Sequence, residues 1–476
     1  MDCFIDCAKE IEKFDILKFI GSVADELNLE SYVVGGFVRD LMLERKSKDI
    51  DIVCLGSGID LANAVANVHK NVSVSVFKTF GTAMLNLHGW EIEFVGARKE
   101  SYNKSSRNPV VENGTLKEDQ ERRDFTINSL AICINASAWG RLVDPFSGCV
   151  DLSNKIIKTP LDPDITFYDD PLRMMRAIRF AVQLNMTIDS ETLESITKNR
   201  DRIEIISKER ITVELNKIIS EPNPSRGFRL LDKTGILEII FPEFVLLKDA
   251  ETIGIHSHKD NFEHTLQVLD NVSRVSNNLW LRWAAILHDI AKPKTKRFDP
   301  IIGFTFHIHE ELGARMVPHI FRKMRLPMNY NMTYVQKLVR MHLRPIALAK
   351  KEVTDSAIRR LIYDAGNAME DLLSLCRADI TSKNDEKISR YMRNFDLVES
   401  KIKLVEEKDH IKNLQPVITG KVIMETFNIA PSMVIGAIKI AIKEAILNGD
   451  IKNEYKEAYD LMLKLGEQKG LKIELE

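Results

Sequence analysis

The sequence lacks the features that mark membrane proteins, disulfide-rich secreted proteins and strongly basic RNA-binding proteins. It contains no run of eighteen uncharged apolar residues, and Asp2 and Asp6 lie where a signal peptide would carry basic residues, so we expect a cytoplasmic protein that does not enter a membrane. Its six cysteines form no Cys-x-x-Cys pair, which favours buried thiols over disulfides or zinc ligands. The formal net charge is only −2. Any polyanion must therefore bind through local patches of positive charge.

The pattern of segments predicts domains of two kinds. Up to about residue 155 short β-type segments alternate with helical ones, which predicts a compact α/β head, whereas from about residue 165 helical periodicity predicts an all-helical remainder. The stretch between Ala97 and Leu116 is polar and aperiodic, which predicts a mobile loop. Breaks near residue 250 and near Pro416 divide the helical part. The expected domains are a head at 1–160, a helical neck at 161–250, a body at 251–400 and a helical tail at 401–476.

Two glycines follow the first apolar strand of the head. Gly35 and Gly36 lack side chains, so a phosphate can approach the backbone N–H groups at the start of the next predicted helix. Arg39, about one turn into that helix, could donate to the same oxygens. A Gly-Gly pair taken alone is more often only a turn.

A pair of carboxylates follows that helix. Asp49 and Asp51 alternate with Ile50 and Ile52, so in a strand both carboxylates project from one face while the isoleucines are buried on the other. Two carboxylates held this close can share a pair of Mg²⁺ ions for phosphoryl transfer. A lone Asp-x-Asp is more often a solvated strand end, but the strand-turn-helix-strand unit as a whole favours chemistry.

Glu93 is a candidate for a third carboxylate. It lies on a later β-type segment of the head, where polymerase-type sites sometimes supply one. An alternating strand equally places acids on its solvent face. Both interpretations stay open from the sequence.

The segment 122–130 reads Arg-Arg-Asp-Phe-Thr-Ile-Asn-Ser-Leu. On a helix, Arg123 would share a face with Ile127, and Asp124 would share one with Asn128, so polar groups would line one stripe. An Arg-Asp pair that caps a surface helix would explain the same pattern.

The segment 169–180 begins with two acids and continues with regularly spaced arginines. Asp170 fits a helix N-cap and Pro171 fits the first helical position, while Arg173, Arg176 and Arg179 recur every three residues as a cationic ridge. A solvated basic helix face would explain this pattern too. However, a carboxylate and a guanidinium held rigidly together can also bind the edge of a nucleotide base.

A group of histidines and aspartates lies in the predicted body. The adjacent His288 and Asp289 occur in an apolar helical segment, where packing does not explain them because burying an unpaired ionised aspartate is costly. Imidazoles and carboxylates together suit a divalent transition metal such as Ni²⁺, Co²⁺ or Mn²⁺, or else Mg²⁺. The predicted ligands are His264, His288, Asp289, His309, His342 and Asp379.

The head and neck segments resemble the signatures of the class II tRNA nucleotidyltransferase and bacterial poly(A) polymerase family, within the DNA polymerase beta superfamily. The resemblance implies that Arg123 and Asp124 contact the incoming nucleotide and its sugar, with Asn128 beside them. It also implies that Asp170 and Arg173 read the base in place of a nucleic-acid template. The later arginines of the ridge, Arg176 and Arg179, would bind phosphate or shape the site.

Three residues depart from the family pattern. Glu44 replaces a glycine, so the exit of the helix that carries Arg39 is expected to differ. Ser129 replaces an alanine, and Asp169 replaces a glutamate. Beyond these segments, the stretch from Val417 to Asp450 resembles the tail that grips the tRNA elbow in this family, although as bare sequence it is two helices separated by glycines.

The histidines and aspartates of the body resemble the HD phosphohydrolase superfamily. That resemblance implies a metal site at His264, His288, Asp289 and Asp379, with His309 and His342 where a second metal would bind. Such domains in nucleotidyltransferases can also be structural remnants.

Together these resemblances imply a CCA-adding tRNA nucleotidyltransferase. It would extend tRNA 3′ ends from CTP and ATP with two Mg²⁺ ions at Asp49 and Asp51, and the HD site would be a candidate for hydrolysis. The alternatives are a poly(A) polymerase, an enzyme that adds only CC or only A, an HD phosphohydrolase with a degenerate head, and an RNA-binding scaffold. The sequence determines neither the order of nucleotides nor the oligomeric state.

Overall fold

The computed structural model describes residues 6–69, 72–77, 81–101, 110–248, 252–253, 256–257, 260–348, 354–381, 385–409, 411 and 414–472. The chain forms two compact units, Met1–Pro242 and Glu243–Glu476. The predicted head and neck thus share the first unit, and the predicted body and tail share the second. The division falls slightly before residue 250 because the next short helix packs into the second unit. There the ring of Phe244 lies 5.2 Å from that of Phe262, and Glu243 pairs with Lys323 at 2.8 Å.

Strands of the first unit lie mostly in the head. They are β1 Ser31–Val34, β2 Asp49–Cys54, β3 Ser75–Phe77, β4 Thr82–Leu87, β5 Trp90–Gly96, β6 Arg98–Ser101, β7 Val110–Asn113, β8 Ala131–Cys133, β9 Leu142–Val143, β10 Ile156–Ile157 and β11 Thr187–Ile188. Seven of them form one mixed sheet in the order β3-β4-β5-β2-β1-β8-β9. In this sheet β2 and β5 pair in parallel, while the other neighbours pair antiparallel.

Among the described residues of the first unit, the head and the neck each contain six α-helices. They are α1 Cys7–Ile11, α2 Asp15–Glu26, α3 Gly36–Met42, α4 Gly58–Asn67, α5 Leu116–Glu121 and α6 Gly148–Asn154 in the head. The neck contains α7 Pro163–Asp169, α8 Leu172–Gln183, α9 Ser190–Asn199, α10 Lys208–Ser220, α11 Pro224–Lys233 and α12 Ile236–Ile240. The helix that begins the second unit is α13 Pro242–Val245.

The alternation predicted for β2 is present. Ile50 and Ile52 are buried in a core that also contains side chains of α2 and α4, such as Leu17 and Leu61. Asp49 and Asp51 therefore project from the opposite face of the sheet. The apolar half of the pattern thus fixes the direction in which the two carboxylates point.

The prediction of a loop between Ala97 and Leu116 is wrong at both of its ends. Strands β6 and β7 form an antiparallel hairpin in which Arg98 pairs with Asn113. The cause is backbone hydrogen bonding between the strands, which needs no apolar alternation in the sequence. Residues 102–109 lie outside the described part of the chain.

The second unit is mainly helical. Its helices are α14 Asn261–Val275, α15 Leu279–Leu287, α16 Lys292–Thr295, α17 His309–Lys323, α18 Tyr330–Met341, α19 Leu343–Leu348, α20 Asp355–Ala365, α21 Met369–Asp379, α22 Asp385–Asp409, α23 Gly420–Phe427, α24 Met433–Asn448 and α25 Tyr455–Gln468. The expectation of an all-helical remainder from about residue 165 fails at two small antiparallel pairs of this unit, β12 Thr252–Ile253 with β13 His256–Ser257, and β14 Arg297–Asp299 with β15 Gly303–Thr305, and in the neck at β11, which pairs in parallel with β10. These strands have two or three residues, too few to show a period of two in the sequence. Across the described ranges, no helix has the length and apolar character needed to cross a membrane.

Candidate nucleotide and metal sites

The glycine turn lies between two charged side chains. Gly35 precedes α3 with φ 71° and ψ −129°, a conformation that residues with a side chain rarely adopt. A Cβ at Gly35 would lie 3.0 Å from Nη1 of Arg123 and 3.4 Å from Oδ2 of Asp51. Glycine is therefore required by both the backbone and the space. This turn brings three predicted site residues together although Arg123 is far away in sequence.

Asp51 and Glu93 are neighbours across the parallel pair of strands. Asp51 is in register with Glu93, as Asp49 is with Glu91, and paired residues of adjacent strands point to the same face. Burial, and next the charge of Asp51, raise the pKa of Glu93. Burial also raises the pKa of Asp51, with Arg123 opposing and Asp49 adding to the shift. The crowded carboxylates fit a divalent cation, because bound positive charge would relieve their repulsion.

Asp119 is a site residue that the sequence analysis missed. It is fully buried at the end of α5, and its two oxygens accept hydrogen bonds from Arg122 and from Nη2 of Arg123, the latter at 3.0 Å. Burial alone would raise the pKa of Asp119, but these two guanidinium groups lower it. Asp119 therefore holds Arg123 toward the glycine turn. Its spacing of three and four residues from the two arginines was the available signal.

Asp124, Asn128 and two arginines form one buried hydrogen-bonded chain. Nη1 of Arg39 donates to Oδ1 of Asn128 at 2.8 Å, and Nδ2 of Asn128 donates to Oδ1 of Asp124 at 3.0 Å. Nε of Arg176 donates to Oδ2 of Asp124 at 2.7 Å. Burial would raise the pKa of Asp124, but the Arg176 guanidinium lowers it to about 2. This carboxylate is therefore ionised at neutral pH.

The interpretation of 122–130 as a helix is wrong. Helix α5 ends at Glu121, and Thr126–Asn128 form only a short 3-10 turn. The backbone N–H of Thr126 donates to the carbonyl of Lys158 at 2.8 Å instead of continuing a helix. The contact between Asp124 and Asn128 is nevertheless made, by the turn rather than by helical spacing.

Three guanidinium groups surround the ring of Phe180 on α8. Arg39, Arg176 and Arg179 lie 5.0, 5.3 and 3.9 Å from its centroid. Arg39 also donates twice to Asp40 at 2.9 Å, and it is buried. The arginines that were predicted to form a cationic ridge on α8 therefore lie partly inside the protein, against Phe180. The predicted contact of Arg39 with phosphate stays a prediction.

Asp170 and Arg173 lie at the start of α8. Oδ1 of Asp170 accepts from the N–H of Leu172 at 3.1 Å, so the carboxylate caps the helix as predicted, although the helix begins one residue later than Pro171. Oδ2 of Asp170 lies 3.4 Å from Nη2 of Arg210. Nη2 of Arg173 donates to the carbonyl of Arg122 at 2.6 Å. Of the candidate base-reading pair, Arg173 is thus anchored on the segment that carries Arg123, and Asp170 pairs with a residue of α10.

In the second unit, the six predicted metal ligands converge. His288, Asp289, His309 and His342 are buried, and His264 and Asp379 are nearly so. Nδ1 of His288, His309 and His342 each lies 2.7 Å from a backbone carbonyl, of Ala285, Phe306 and Val339 respectively. A carbonyl only accepts, so each Nδ1 carries the hydrogen, and Nε2 points inward as the nitrogen available to a metal.

The ligand atoms that point into the centre form two adjacent sets of three. The ligand atoms of His264, His288 and Asp379 lie within 4.8 Å of one another, as do those of Asp289, His309 and His342. Asp289 lies between the sets, with Oδ2 3.2 Å from Nε2 of His288 and Oδ1 3.2 Å from Nε2 of His309. Nε2 of His288, His309 and His342 are buried and have no hydrogen-bond partner. Unpaired buried nitrogens are costly, so the donor set fits one or two divalent cations.

Two further details of this centre differ from the sequence analysis. His288 and Asp289 lie just beyond the end of α15 rather than inside a helix. Lys292 was given no role, yet its Nζ lies 2.5 Å from Oδ2 of Asp289. Burial would lower the pKa of His288, but Asp289 and then Asp379 raise it to about 10, whereas burial lowers the pKa of His342 to about 4. A metal would therefore displace a proton from His288.

Family models match most of the first unit and part of the second. Residues 31–158 match the "Poly A polymerase head domain". Residues 185–247 match the "Probable RNA and SrmB- binding site of polymerase A". Residues 261–382 match the "HD domain". The three matches follow the chain in the same order as the sites described above.

Known proteins resemble the chain over different lengths. The Multifunctional CCA protein of Nitrosococcus oceani is 32% identical over 374 residues, which are 75% of this chain and 86% of that protein. The A-adding tRNA nucleotidyltransferase of Geobacter sulfurreducens is 37% identical over 264 residues, which are 55% of this chain but only 28% of that longer protein. The chain thus spans about a quarter of the length of the Geobacter protein.

Solved structures share the fold. The Thermotoga maritima CCA-adding enzyme, solved in complex with tRNA, superimposes with a TM-score of 0.63 at 22% identity and covers 98% of this chain and 100% of that one. At this identity the likeness concerns the fold. Together with the family models and the Nitrosococcus relative, it shows that the chain belongs to the tRNA nucleotidyltransferase and poly(A) polymerase family with an HD domain.

Proposed function

We propose that this protein adds CCA to the 3′ ends of tRNA without a template, using CTP and ATP. The observation that carries the proposal is the meeting of Gly35, Arg123 and Asp51 at one turn, where the space that a side chain would fill is bounded by a guanidinium and a carboxylate. A triphosphate and its cation need such a combination of open backbone, positive charge and carboxylate. The relatives named as A-adding and CCA-adding enzymes support the same chemistry.

Each group of the head has a separate task in this proposal. Asp49 and Asp51, with Glu93 beside them, would hold Mg²⁺, which supplies activation of the RNA 3′-hydroxyl and offsets charge on the departing pyrophosphate. Arg123, fixed by Asp119, binds the triphosphate. Asp124 stays ionised and accepts from the sugar hydroxyls.

Asp170 and Arg173 select the base. A carboxylate accepts from an exocyclic amino group, and a guanidinium donates to a ring nitrogen or a carbonyl. We expect Asp170→Ala or Arg173→Ala to change the preference between CTP and ATP, because one lost base contact costs about 1–3 kcal/mol. An equal loss of activity with CTP and with ATP would show that the two residues have a structural role and do not select the base. The tail helices α23 to α25 remain predicted contacts to the tRNA elbow.

The metal-ligand proposal is tested by single substitutions in the strand pair β2 and β5. Asp49→Ala and Asp51→Ala should abolish nucleotide addition without changing tRNA binding or the melting temperature. Glu93→Gln should also lower addition if Glu93 is a third ligand. Glu26→Gln is the control, because Glu26 is an exposed acid of the head on α2, whose buried side chains pack on the opposite face of the sheet from the carboxylates. Mg²⁺-dependent incorporation near the wild-type level by Asp51→Ala would refute the assignment.

A second activity, metal-dependent hydrolysis of phosphate esters at RNA ends, is supported by the converging unpaired nitrogens of the second unit. The ligands would be His264, His288, Asp289, His309, His342 and Asp379, and the metal would supply a bound water that ionises near neutral pH. Removing a blocking phosphate would restore a 3′ end that the head can extend.

The two activities should be separable. The double variant of His288→Ala and Asp289→Ala should lose bound metal and hydrolysis but keep nucleotide addition, because the head has its own ligands. Purified protein that binds no Ni²⁺, Co²⁺ or Mn²⁺ and hydrolyses no phosphomonoester or 2′,3′-cyclic phosphate would reduce the body to a structural spacer.

A further inference from the structure

A basic and aromatic segment is attached directly to the histidine and aspartate centre. We call residues 292–307 the basic hairpin segment. Its first six residues read Lys-Pro-Lys-Thr-Lys-Arg, and Asp299 is the only acid between Lys292 and His309. In a chain of net charge −2 this is a strong local concentration of positive charge.

The fold presents this charge next to an aromatic pair. Helix α16 is followed by the hairpin of β14 and β15, in which Phe298 is paired with Phe304 and their ring centroids lie 5.2 Å apart. Lys294, Arg297 and Phe298 are exposed. Oδ1 of Asp299 accepts from the backbone N–H groups of Ile301 and Ile302 at the hairpin tip. Cations beside a partly exposed aromatic ring are the combination that single-stranded nucleic acids bind.

The segment is joined to the metal ligands at both ends. Lys292, at one end, contacts Asp289, and the other end leads directly into His309. Ile308, between the segment and His309, has φ 59°, which is rare for a β-branched residue. Such strain persists only where the surroundings hold it, so the direction of the hairpin relative to His309 is fixed.

Solvent reaches the centre on the side where the segment begins. The side chains of Lys292, Asp379 and His264 are 19%, 15% and 13% exposed, whereas His288 and His342 are at most 1% exposed. Lys292 thus lies at the exposed edge of the centre, together with His264 and Asp379. A chain that is bound at this edge can continue from Lys292 onto Lys294, Arg297 and Phe298, which follow it closely in sequence.

We infer that the basic hairpin segment is the docking surface for the single-stranded 3′ end of an RNA. Lys294 and Arg297 bind backbone phosphates, Phe298 packs against a base, and Lys292 receives the terminal phosphate. The inference rests on the hydrolytic function proposed above and adds the surface that holds the RNA chain, so that an RNA with a 3′-phosphate or 2′,3′-cyclic phosphate is preferred to the free nucleotide. In the reaction a water oxygen bonds to phosphorus, the bond from phosphorus to a ribose oxygen breaks, and a water proton ends on that ribose oxygen.

Kinetics on two matched substrates test the inference. The substrates are a short RNA oligonucleotide with a 3′-phosphate and the corresponding 3′-mononucleotide. For the double variant of Lys294→Ala and Arg297→Ala, we expect the KM of the oligonucleotide to rise at least about tenfold. The slope of log KM against log salt concentration should become smaller by about 1.4, because two phosphate contacts are lost. The kcat/KM for the mononucleotide should not change. Phe298→Ala should raise the KM of the oligonucleotide by about tenfold as well.

The control variant removes two cations on another side of the same centre. Arg340 and Arg344 flank His342 in sequence and pair with Glu311 and Asp364 on the surface. Their double alanine variant should leave both substrates unchanged. If the Lys294 and Arg297 variant affects the two substrates equally, or leaves the oligonucleotide unchanged, the docking inference is wrong.

A second measurement does not depend on hydrolysis. An oligonucleotide with 4-thiouridine as its last nucleotide is crosslinked by light to the full protein, and the modified peptide is identified by mass spectrometry. We expect crosslinks within residues 292–307 that disappear in the Phe298→Ala variant. Crosslinks there without any hydrolysis would support docking and refute the proposed hydrolysis. Hydrolysis without a crosslink there would refute docking alone.

Discussion

Replacing Gly35 by alanine tests whether the turn itself is part of the active site. The backbone at φ 71° and ψ −129° is strained for any residue with a side chain, which costs roughly 1–3 kcal/mol of stability. The new methyl would lie 3.0 Å from Nη1 of Arg123, so this guanidinium must move by a few tenths of an ångström, and 3.4 Å from Oδ2 of Asp51, which leaves no spare room on that side. Because displacements below 1 Å already impair catalysis, we expect kcat/KM for nucleotide addition to fall by roughly ten- to a hundredfold.

The assay compares this variant with Gly89→Ala. Gly89 also has a positive φ, 84°, but a Cβ there would meet nothing within 4 Å. Gly89→Ala should therefore lose stability without losing activity per folded molecule. Urea unfolding supplies the folded fraction, and incorporation of labelled nucleotide supplies the activity. Equal specific activities of the two variants, or full activity of Gly35→Ala, would refute the placement of the triphosphate at this turn.

Three further predictions concern single groups. Glu44→Gly should raise the free energy of unfolding by about 1 kcal/mol, because Glu44 has φ 53° at the end of α3, and a lower urea midpoint would contradict this. Asp119→Asn should lower the free energy of unfolding by roughly 2–3 kcal/mol and raise the KM for nucleotides, because two arginines lose a buried charged partner. Unchanged kinetics would show that Arg123 does not need Asp119 to hold its position. In metal-free protein, the raised pKa of His288 makes the folded state bind an extra proton, so stability should fall as the pH rises from about 6.5 to about 10. With bound metal the proton on His288 is already displaced, so the fall of the melting temperature with rising pH should be lost or reversed. A melting temperature of the metal-free protein that rises with pH over that range would contradict the account.

The sequence predicted the parts of the site that are local in the chain. The alternation around Asp51 correctly predicted which face its carboxylate occupies, and the helix cap at Asp170 was predicted within one residue. The six ligands of the body are spread from residue 264 to residue 379, so they were predicted from residue type together with the resemblance to the HD superfamily, and the structure places them together. Strand alternation and helix capping can be predicted from the sequence because both act over only a few residues.

The remaining features depend on contacts between distant segments. The position of Glu93 beside Asp51 follows from the parallel register of β2 and β5, which a single strand pattern does not contain. Asp119 pairs locally with Arg123, but it gains a role in the site only because Arg123 lies against the distant glycine turn at Gly35. Strand register and this approach of distant segments are tertiary properties.

The Glu44 position shows how a departure from a family pattern is accommodated. The backbone after α3 still adopts a left-handed conformation, in which the N–H of Arg45 donates to the carbonyl of Asp40 at 2.8 Å. This is the arrangement in which helices commonly end with glycine. The substitution therefore keeps the path of the chain and adds backbone strain.

The central claim is template-independent addition of CCA to tRNA, and it is tested most directly by the length of the product. Purified protein is incubated with tRNA that lacks CCA, and with tRNA that ends in CC, together with labelled CTP, labelled ATP or both, and products are separated at single-nucleotide resolution. The account predicts two additions from CTP alone and three from both nucleotides on the first substrate, and one addition from ATP on the second. Addition of A without any use of CTP, long tracts of A, or no incorporation at all would contradict it.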